Sequence, residues 1–388
     1  MKPLDGIRVL ELTHYLAGPY CGLFLADLGA DVIKVESPDH PDLGRQMPGV
    51  RVHEETAYFH CLNRGKRSVV LDLKSENGRS AFYSLVKTSH VVIDNFRYGV
   101  TFRLGIDHEC LIRINPKVVS CSLTGYGETG PKRDLPAYDY LIQAMSGVMG
   151  LTGDPGEKPT KYGISIVDHT SGLLGAFAVL AALRGVDQSG EGRHIDLSLL
   201  DSHVHMLSYL AADYLNGGLV PERYADSAHP YIVPSQRFST IDGDIVMMPM
   251  ADHMWRAACD VLGLVDFSTD PELRTASGRL ANREKVVAGF ADAVMRYTTS
   301  EIVELLEGSG VPVAPVNSVP DVLSDPQITD RGLVVEGDGV QMLGTPIKMS
   351  DVDQGPYRRA PHLGEHTREL LLEAGLDEIE VNNLCRTS

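Results

Sequence analysis

Cysteine, positive charge and long apolar runs are all scarce in this sequence, and each scarcity removes a class of function. The six cysteines among 388 residues, at 21, 61, 110, 121, 259 and 385, never fall within four residues of one another. No C-x-x-C pair is therefore available for zinc or dithiol chemistry, and they read as reduced, mostly buried thiols with no metal site. Lysine and arginine number 35 against 52 acidic residues, a formal charge of −17. Such a field repels nucleic acid and anionic membranes, and an anionic small ligand would need a local basic patch. The longest apolar stretch, 172–183, is too short to span a bilayer, and the N-terminal MKPLDG lacks the apolar core of a signal peptide. These features point to a soluble, cytoplasmic protein.

What is present is an ordinary globular composition, 43% hydrophobic and 22% charged, in a chain long enough for two or three domains. IRVLEL (7–12) and DVIKV (31–35) are strand-like and flank a helical pattern stopped by Gly29, a β-α-β unit that argues a parallel sheet. The turn THYLAGP (13–19) does not spell G-x-G-x-x-G, which undercuts a dehydrogenase reading. Ligands can still gather there, at the carboxyl ends of parallel strands. Further strands are expected at 68–73, 90–94, 118–123 and 193–197. Helices are expected at 76–87, 110–115, 138–149, from Asp168 to about 183, and as one long helix at 199–215. The segment 37–57 reads as a surface loop. A hairpin around Asp242-Gly243-Asp244 precedes helices at 252–263, 282–296 and 300–308, then strand-like 332–350 and a last helix at 366–374. The expected fold is α/β: a doubly wound parallel sheet in a large domain made of 1–222 and 331–388, with a smaller α+β domain at 223–330.

GISIVDHTSGLLG (163–175) is the stretch around which the chain is organised. An apolar run leads to Asp168, and small residues then open a helix, so Asp168 stands where an N-cap belongs. One reading is a cap alone; another is an ionised carboxylate serving as a nucleophile, and cap hydrogen bonds would keep it ionised. Asp139 is a first-turn helix aspartate, favourable by the macrodipole. Arg64, Lys66 and Arg67 form either a solvated turn or a phosphate contact.

Several segments together resemble the family III CoA-transferases, which include formyl-CoA:oxalate and carnitine CoA-transferases. They are GIRVLELTHYLAGPYCGLFLADLGADVIKVE (6–36), NRGKRSVVLDLK (63–74), NF (95–96), RLG (103–105), PAYDYLIQAMSG (136–147), Asp168 with Gly172 and Gly175, DPQITDRG (325–332) and APHLGEHTRELL (360–371). The resemblance implies that Asp168 is the catalytic aspartate and that Asp139 lies beside it. It implies that His14 and Ala17 line the CoA site, with Leu71, Lys74, Asn95, Phe96 and Arg103 holding the CoA moiety. It also implies a homodimer of two interlocked rings, with each active site between the large domain of one chain and the small domain of the other. Formyl-CoA transferases carry glutamine where this chain has Leu16 and arginine where it has Ser37, and their glycine-run loop has no counterpart in HPYIVPSQRF (229–238). These departures argue against oxalate as the acceptor.

The implied chemistry needs no tightly bound cofactor: acyl-CoA is a substrate, and a small organic or dicarboxylic acid is the acceptor. Asp168 would attack the thioester to give an acyl anhydride and CoA thiolate, which would then form an aspartyl-CoA thioester. An aspartate of ordinary pKa, about 3.9, is ionised without a general base. Gly18 and the loop around His14 are candidates to steady the oxyanion, and Lys74 and Arg103 to offset CoA phosphates. Two alternatives share the resemblance. An α-methylacyl-CoA racemase needs an acid–base pair, but the family pattern's histidine before Asp139 is Tyr138 here. A catalytically silent acyl-CoA-binding protein has no evident use for Asp168.

Overall fold

The computed structural model describes residues 1–387. Runs of Val, Ile and Leu supply six strands: β1 (Arg8–Leu12), β2 (Asp31–Glu36), β5 (Arg67–Val70), β6 (Val91–Asp94), β7 (Val119–Thr124) and β8 (Arg193–Ser198). A short hairpin, β3 (Arg51–Val52) and β4 (Glu55–Thr56), lies between β2 and β5 in the chain. The six pair in the order β5-β2-β1-β6-β7-β8, every pairing parallel, with Val9 opposite both Val32 and Val91. Strands buried on both faces explain the near-continuous apolar sequence. The order reverses between β1 and β6, and such a switch point opens a crevice at the carboxyl ends of the strands.

Helices cover both faces. On one side α1 (Ala17–Asp27) and α8 (Ile166–Ser189) bury Cys21, Leu25, Ala176 and Val179 against Val9, Val91, Val119 and Cys121. On the other, α3 (Glu76–Lys87), α5 (His108–Ile114), α18 (Thr367–Glu373) and α19 (Glu378–Thr387) pack Phe82, Leu111, Leu370 and Val381 against Leu10, Ile33 and Val92. The α1–α8 crossing is close: a Cβ on Gly172 would lie 2.6 Å from the Ala17 carbonyl oxygen. Shorter helices α2 (Ala57–Asn63), α4 (Val100–Leu104), α6 (Asp139–Met145) and α7 (Val148–Leu151) stand between the strands and α8 in sequence. By length and composition α8 could cross a membrane, contrary to the expectation from 172–183; it runs 24 residues because it begins at Ile166 and continues to Ser189. Its Gly172, Gly175 and Val179 face is spent on the core.

The chain divides into two compact units. The first holds 1–148, 161–211 and 326–388, and so draws on both chain ends; the second holds 149–160 and 212–325. The second has its own core of Trp255, Cys259, Val286, Phe290 and Ile302 under the sheet of β9 (Gln236–Ser239), β10 (Asp244–Met247) and β11 (Val313–Pro315). A separate hairpin, β12 (Val334–Gly337) and β13 (Val340–Leu343), belongs to the first unit's span.

Several elements differ from the sequence expectation. The 199–215 helix is two, α9 (Leu199–His205) and α10 (Ser208–Gly217), because Ser208 has φ +45°. The loop at 37–57 carries a 3₁₀ turn and the β3–β4 hairpin and runs into α2, whose Thr56 hydroxyl caps Phe59 N–H at 3.0 Å. A further helix, α19, follows the one expected to be last. All six cysteines are free thiols, but only Cys21, Cys121 and Cys259 are buried.

Candidate active site

The loops after β1 and β6 flank the switch point and are tied together. The Asn95 side chain brackets His14: its Oδ1 accepts from His14 N–H and its Nδ2 donates to His14 C=O, both at 2.9 Å. Next in the chain, Tyr15 has φ +63°, a conformation costly for a side-chain-bearing residue. Its N–H donates to Asp42 Oδ1 at 2.9 Å. Asp42 is held from below by Lys34 at 2.8 Å; Lys34 and Lys66 also reach Glu11 at 3.0 and 2.7 Å. These side chains are fully buried, so each charge depends on its partners, and burial still pushes Lys66 down to about 8. A Cβ on Gly22 would lie 1.9 Å from Glu11 Oε2, so glycine there makes room for the ion cluster.

The N-cap assignment of Asp168 is corrected. The cap position of α8 is Ser165, and Asp168 is the third helical residue. The capping acceptor comes from another element: Asp139 Oδ2 accepts from Val167 N–H at 2.8 Å and Asp168 N–H at 3.3 Å. Asp139 is itself steadied by Gln143 Nε2, and Gln143 Oε1 accepts from Tyr162 N–H at 2.8 Å. The Asp168 carboxylate makes no hydrogen bond to a described residue. Without that support, burial, and then the charge of Asp139, push it up to about 7. The site thus raises the Asp168 pKa above the ordinary aspartate value that the sequence reading used.

Asp168 opens on a cavity of about 380 Å³ whose wall includes His14, Ala17, Asn95, Phe96 and Asp139. A second cavity of about 380 Å³ is lined by Leu71, Lys74, Arg103, His14 and Phe96. His14, Phe96 and Val100 line both, so the cavities adjoin. Every site residue named from the sequence except Gly18 lines one of them. Gly18 sits one residue into α1, where a Cβ would lie 2.4 Å from the Thr13 side chain. Leu16 and Ser37, two of the three departures, line the first and second cavity respectively. Burial lowers the pKa of His14, and its Nδ1 is buried without a hydrogen-bond partner among the described residues, as is Thr124 Oγ1 on the Asp168 cavity wall.

The cations sort by their partners. Arg64 pairs with Asp27 at 2.6 Å, Lys66 with Glu11, and Arg67 with Asp31, Glu369 and Glu373, so this cluster holds the fold and is not free for phosphate. Lys74 and Arg103 are exposed and form no ion pair with a described residue. The sequence reading missed Gln143, whose i,i+4 spacing from Asp139 was its only signal, and Asp42 and Lys34, which a linear sequence does not bring together. It also missed Tyr58, whose phenol is pushed up by burial and by the charges of Asp168 and Asp42. Among the described residues no group of three or more His, Cys, Asp or Glu could hold a metal ion.

The profile of CoA-transferase family III matches residues 4–367. The chain belongs to this family. It is 39% identical, over 97% of its length and 96% of the relative's, to a succinate–glutarate CoA-transferase of Agrobacterium fabrum. It is 37% identical to an acetyl-CoA:oxalate CoA-transferase of Acetobacter aceti, covering 97% of each. Among solved structures, a CaiB/BaiF family protein from Brucella suis superposes with a TM-score of 0.87 at 39% identity, covering 96% of this chain and 99% of that one. This protein is thus a family III CoA-transferase, with the parallel sheet, the smaller antiparallel sheets and the two-unit chain of one architecture.

Proposed function

We propose that this CoA-transferase moves CoA from an acyl-CoA to a small dicarboxylic acid through covalent intermediates on Asp168. The observation that carries the reading is the division of labour between two aspartates. Asp139 caps α8, which leaves the Asp168 carboxylate unbonded in a cavity at the switch point. Asp168 attacks the donor thioester carbon; the C–S bond breaks, and an acyl anhydride and CoA thiolate result. The thiolate attacks the Asp168 Cγ and expels the donor acid, leaving an aspartyl-CoA thioester. The acceptor carboxylate attacks that Cγ and releases the thiolate, which takes the acceptor acyl group from the new anhydride and frees Asp168. Each exchange keeps the energy of the thioester.

The first turn of α1 has no side-chain cap, so the N–H of Ala17, which lines the Asp168 cavity, remains for the oxyanion of each addition. CoA lies along the adjoining cavity with its phosphates toward Lys74 and Arg103, and the unpartnered His14 Nδ1 stands where the two cavities meet. The acceptors named for the two relatives, glutarate and oxalate, are both dicarboxylates, which supports the same class here. The working form is a homodimer. Asp168→Asn tests the mechanism: a folded variant that binds acyl-CoA but transfers nothing is expected. Wild type incubated with acyl-CoA and hydroxylamine should acquire a hydroxamate at Asp168. An active Asp168→Asn enzyme would end the proposal.

A further inference from the structure

We propose that Arg133, held against the ring of Tyr98, takes the far carboxylate of a dicarboxylic substrate in the Asp168 cavity. The inference rests on the CoA-transfer reading and adds to it the residue that sets acid class. A dicarboxylate brings two negative charges. One is consumed in bonding to Asp168 or to CoA; the other stays beside Asp139 and Asp168, in a partly desolvated site where like charges repel strongly. The cavity must therefore supply a cation.

Among the side chains of its wall, Arg97 and Arg133 are the permanent cations, and burial lowers the pKa of His14 below its ordinary value. Arg97 also faces a neighbouring cavity of about 530 Å³, whereas Arg133 lines the Asp168 cavity alone of the two. The Arg133 guanidinium carbon lies 4.5 Å from the centre of the Tyr98 ring, and Tyr98 lines the same cavity. A guanidinium held over a ring by cation–π attraction still has N–H groups for bidentate pairing with a carboxylate. Its ion pair is loose, Nε to Asp134 Oδ2 at 3.6 Å on an exposed carboxylate. No hydrogen bond to a described residue occupies its terminal nitrogens. Arg133 follows β7 and Tyr98 follows β6, so both stand at the carboxyl ends of neighbouring strands, where ligands of parallel sheets bind.

The test compares succinate with butanoate, four-carbon acids that differ in the far carboxylate. In Arg133→Gln the kcat/KM ratio of succinate to butanoate should fall roughly 10–100-fold, mainly through the KM for succinate, as loss of a charge-assisted pair implies. Arg133→Lys should recover part of the ratio, and Tyr98→Leu should lower it less. An unchanged ratio in Arg133→Gln overturns the proposal, and so does an equal loss for both acids. So does a wild-type enzyme that prefers butanoate. Calorimetric binding of succinate to the unreacted protein gives a second arm. Were wild type to transfer CoA to neither acid, succinate would fall as an acceptor of the proposed reaction, and succinate binding lost in Arg133→Gln would still uphold the Arg133 assignment. Equal succinate binding by both proteins would overturn it.

Discussion

Asp168 is where catalysis and stability oppose each other. Its carboxyl titrates near 7 in the folded protein and near about 3.9 when unfolded, so the folded state holds the extra proton between those values. Stability from this group is therefore highest at low pH and is lost as pH rises toward and through about 7. Asp168→Asn carries no such cost. Its unfolding free energy should exceed that of wild type by more at pH 8 than at pH 5, with the gap on the order of 1–3 kcal/mol at the alkaline end. A variant less stable than wild type at pH 8 would contradict this. The same titration should place an acid limb near 7 in kcat/KM for the acyl-CoA donor, with activity rising as the carboxylate ionises. Lys74 and Arg103 behave differently, since they are exposed and form no ion pair with a described residue. Lys74→Ala and Arg103→Ala should each weaken acyl-CoA binding by about 1–3 kcal/mol, to a similar extent for different acyl groups. Unchanged KM values in both variants would mean that CoA lies elsewhere.

At the scale of elements, the site is a joint between α6 and α8 set beside two strand-end loops. Asp139 closes the α8 N-terminus from outside, so Asp139→Ala leaves the Val167 and Asp168 N–H groups without their acceptor. A loss of about 1–3 kcal/mol in denaturant unfolding is expected. Asp139→Asn keeps an amide oxygen that can accept but removes the charge that helps hold the Asp168 pKa up; the acid limb of the pH–rate profile should move to lower pH. A limb that stays in place would show that burial alone sets it. The strands were legible because they are buried on both faces and read as apolar runs, and the β-α-β start and the strand-end location of the loops followed from them. The start of α8 was not. Aspartate before a helical pattern resembles a cap, yet the acceptor lies 29 residues earlier in the chain than Asp168, and local pattern does not carry that contact. The Lys34–Glu11–Lys66–Asp42 cluster was invisible for the same reason: charged residues in strands and loops read as surface until the fold pairs them.

For the whole molecule, the exposed side chains argue for a second copy. On α6 Tyr140, Leu141 and Met145, and on α8 Leu173 and Phe177, are 43–69% exposed, although α8 is among the most apolar segments of the chain. Exposed large apolar side chains gathered on two packed helices suit an interaction face. The core covers only the face of α8 with Gly172, Gly175 and Val179, while Leu173 and Phe177 stay exposed on the same helix. The homodimer we propose would cover the rest. Light scattering across a dilution series should find the wild type dimeric down to the lowest concentration that can be measured. Phe177→Lys places a charge on the most exposed of these five side chains, at 69%, and should weaken association at least tenfold or lower the yield of folded protein. Phe177→Leu, which keeps the face apolar, should remain dimeric and distinguishes a lost interface from a damaged helix. A folded wild-type monomer with full transferase activity would leave the exposed face without a second copy to cover it and would refute the dimer.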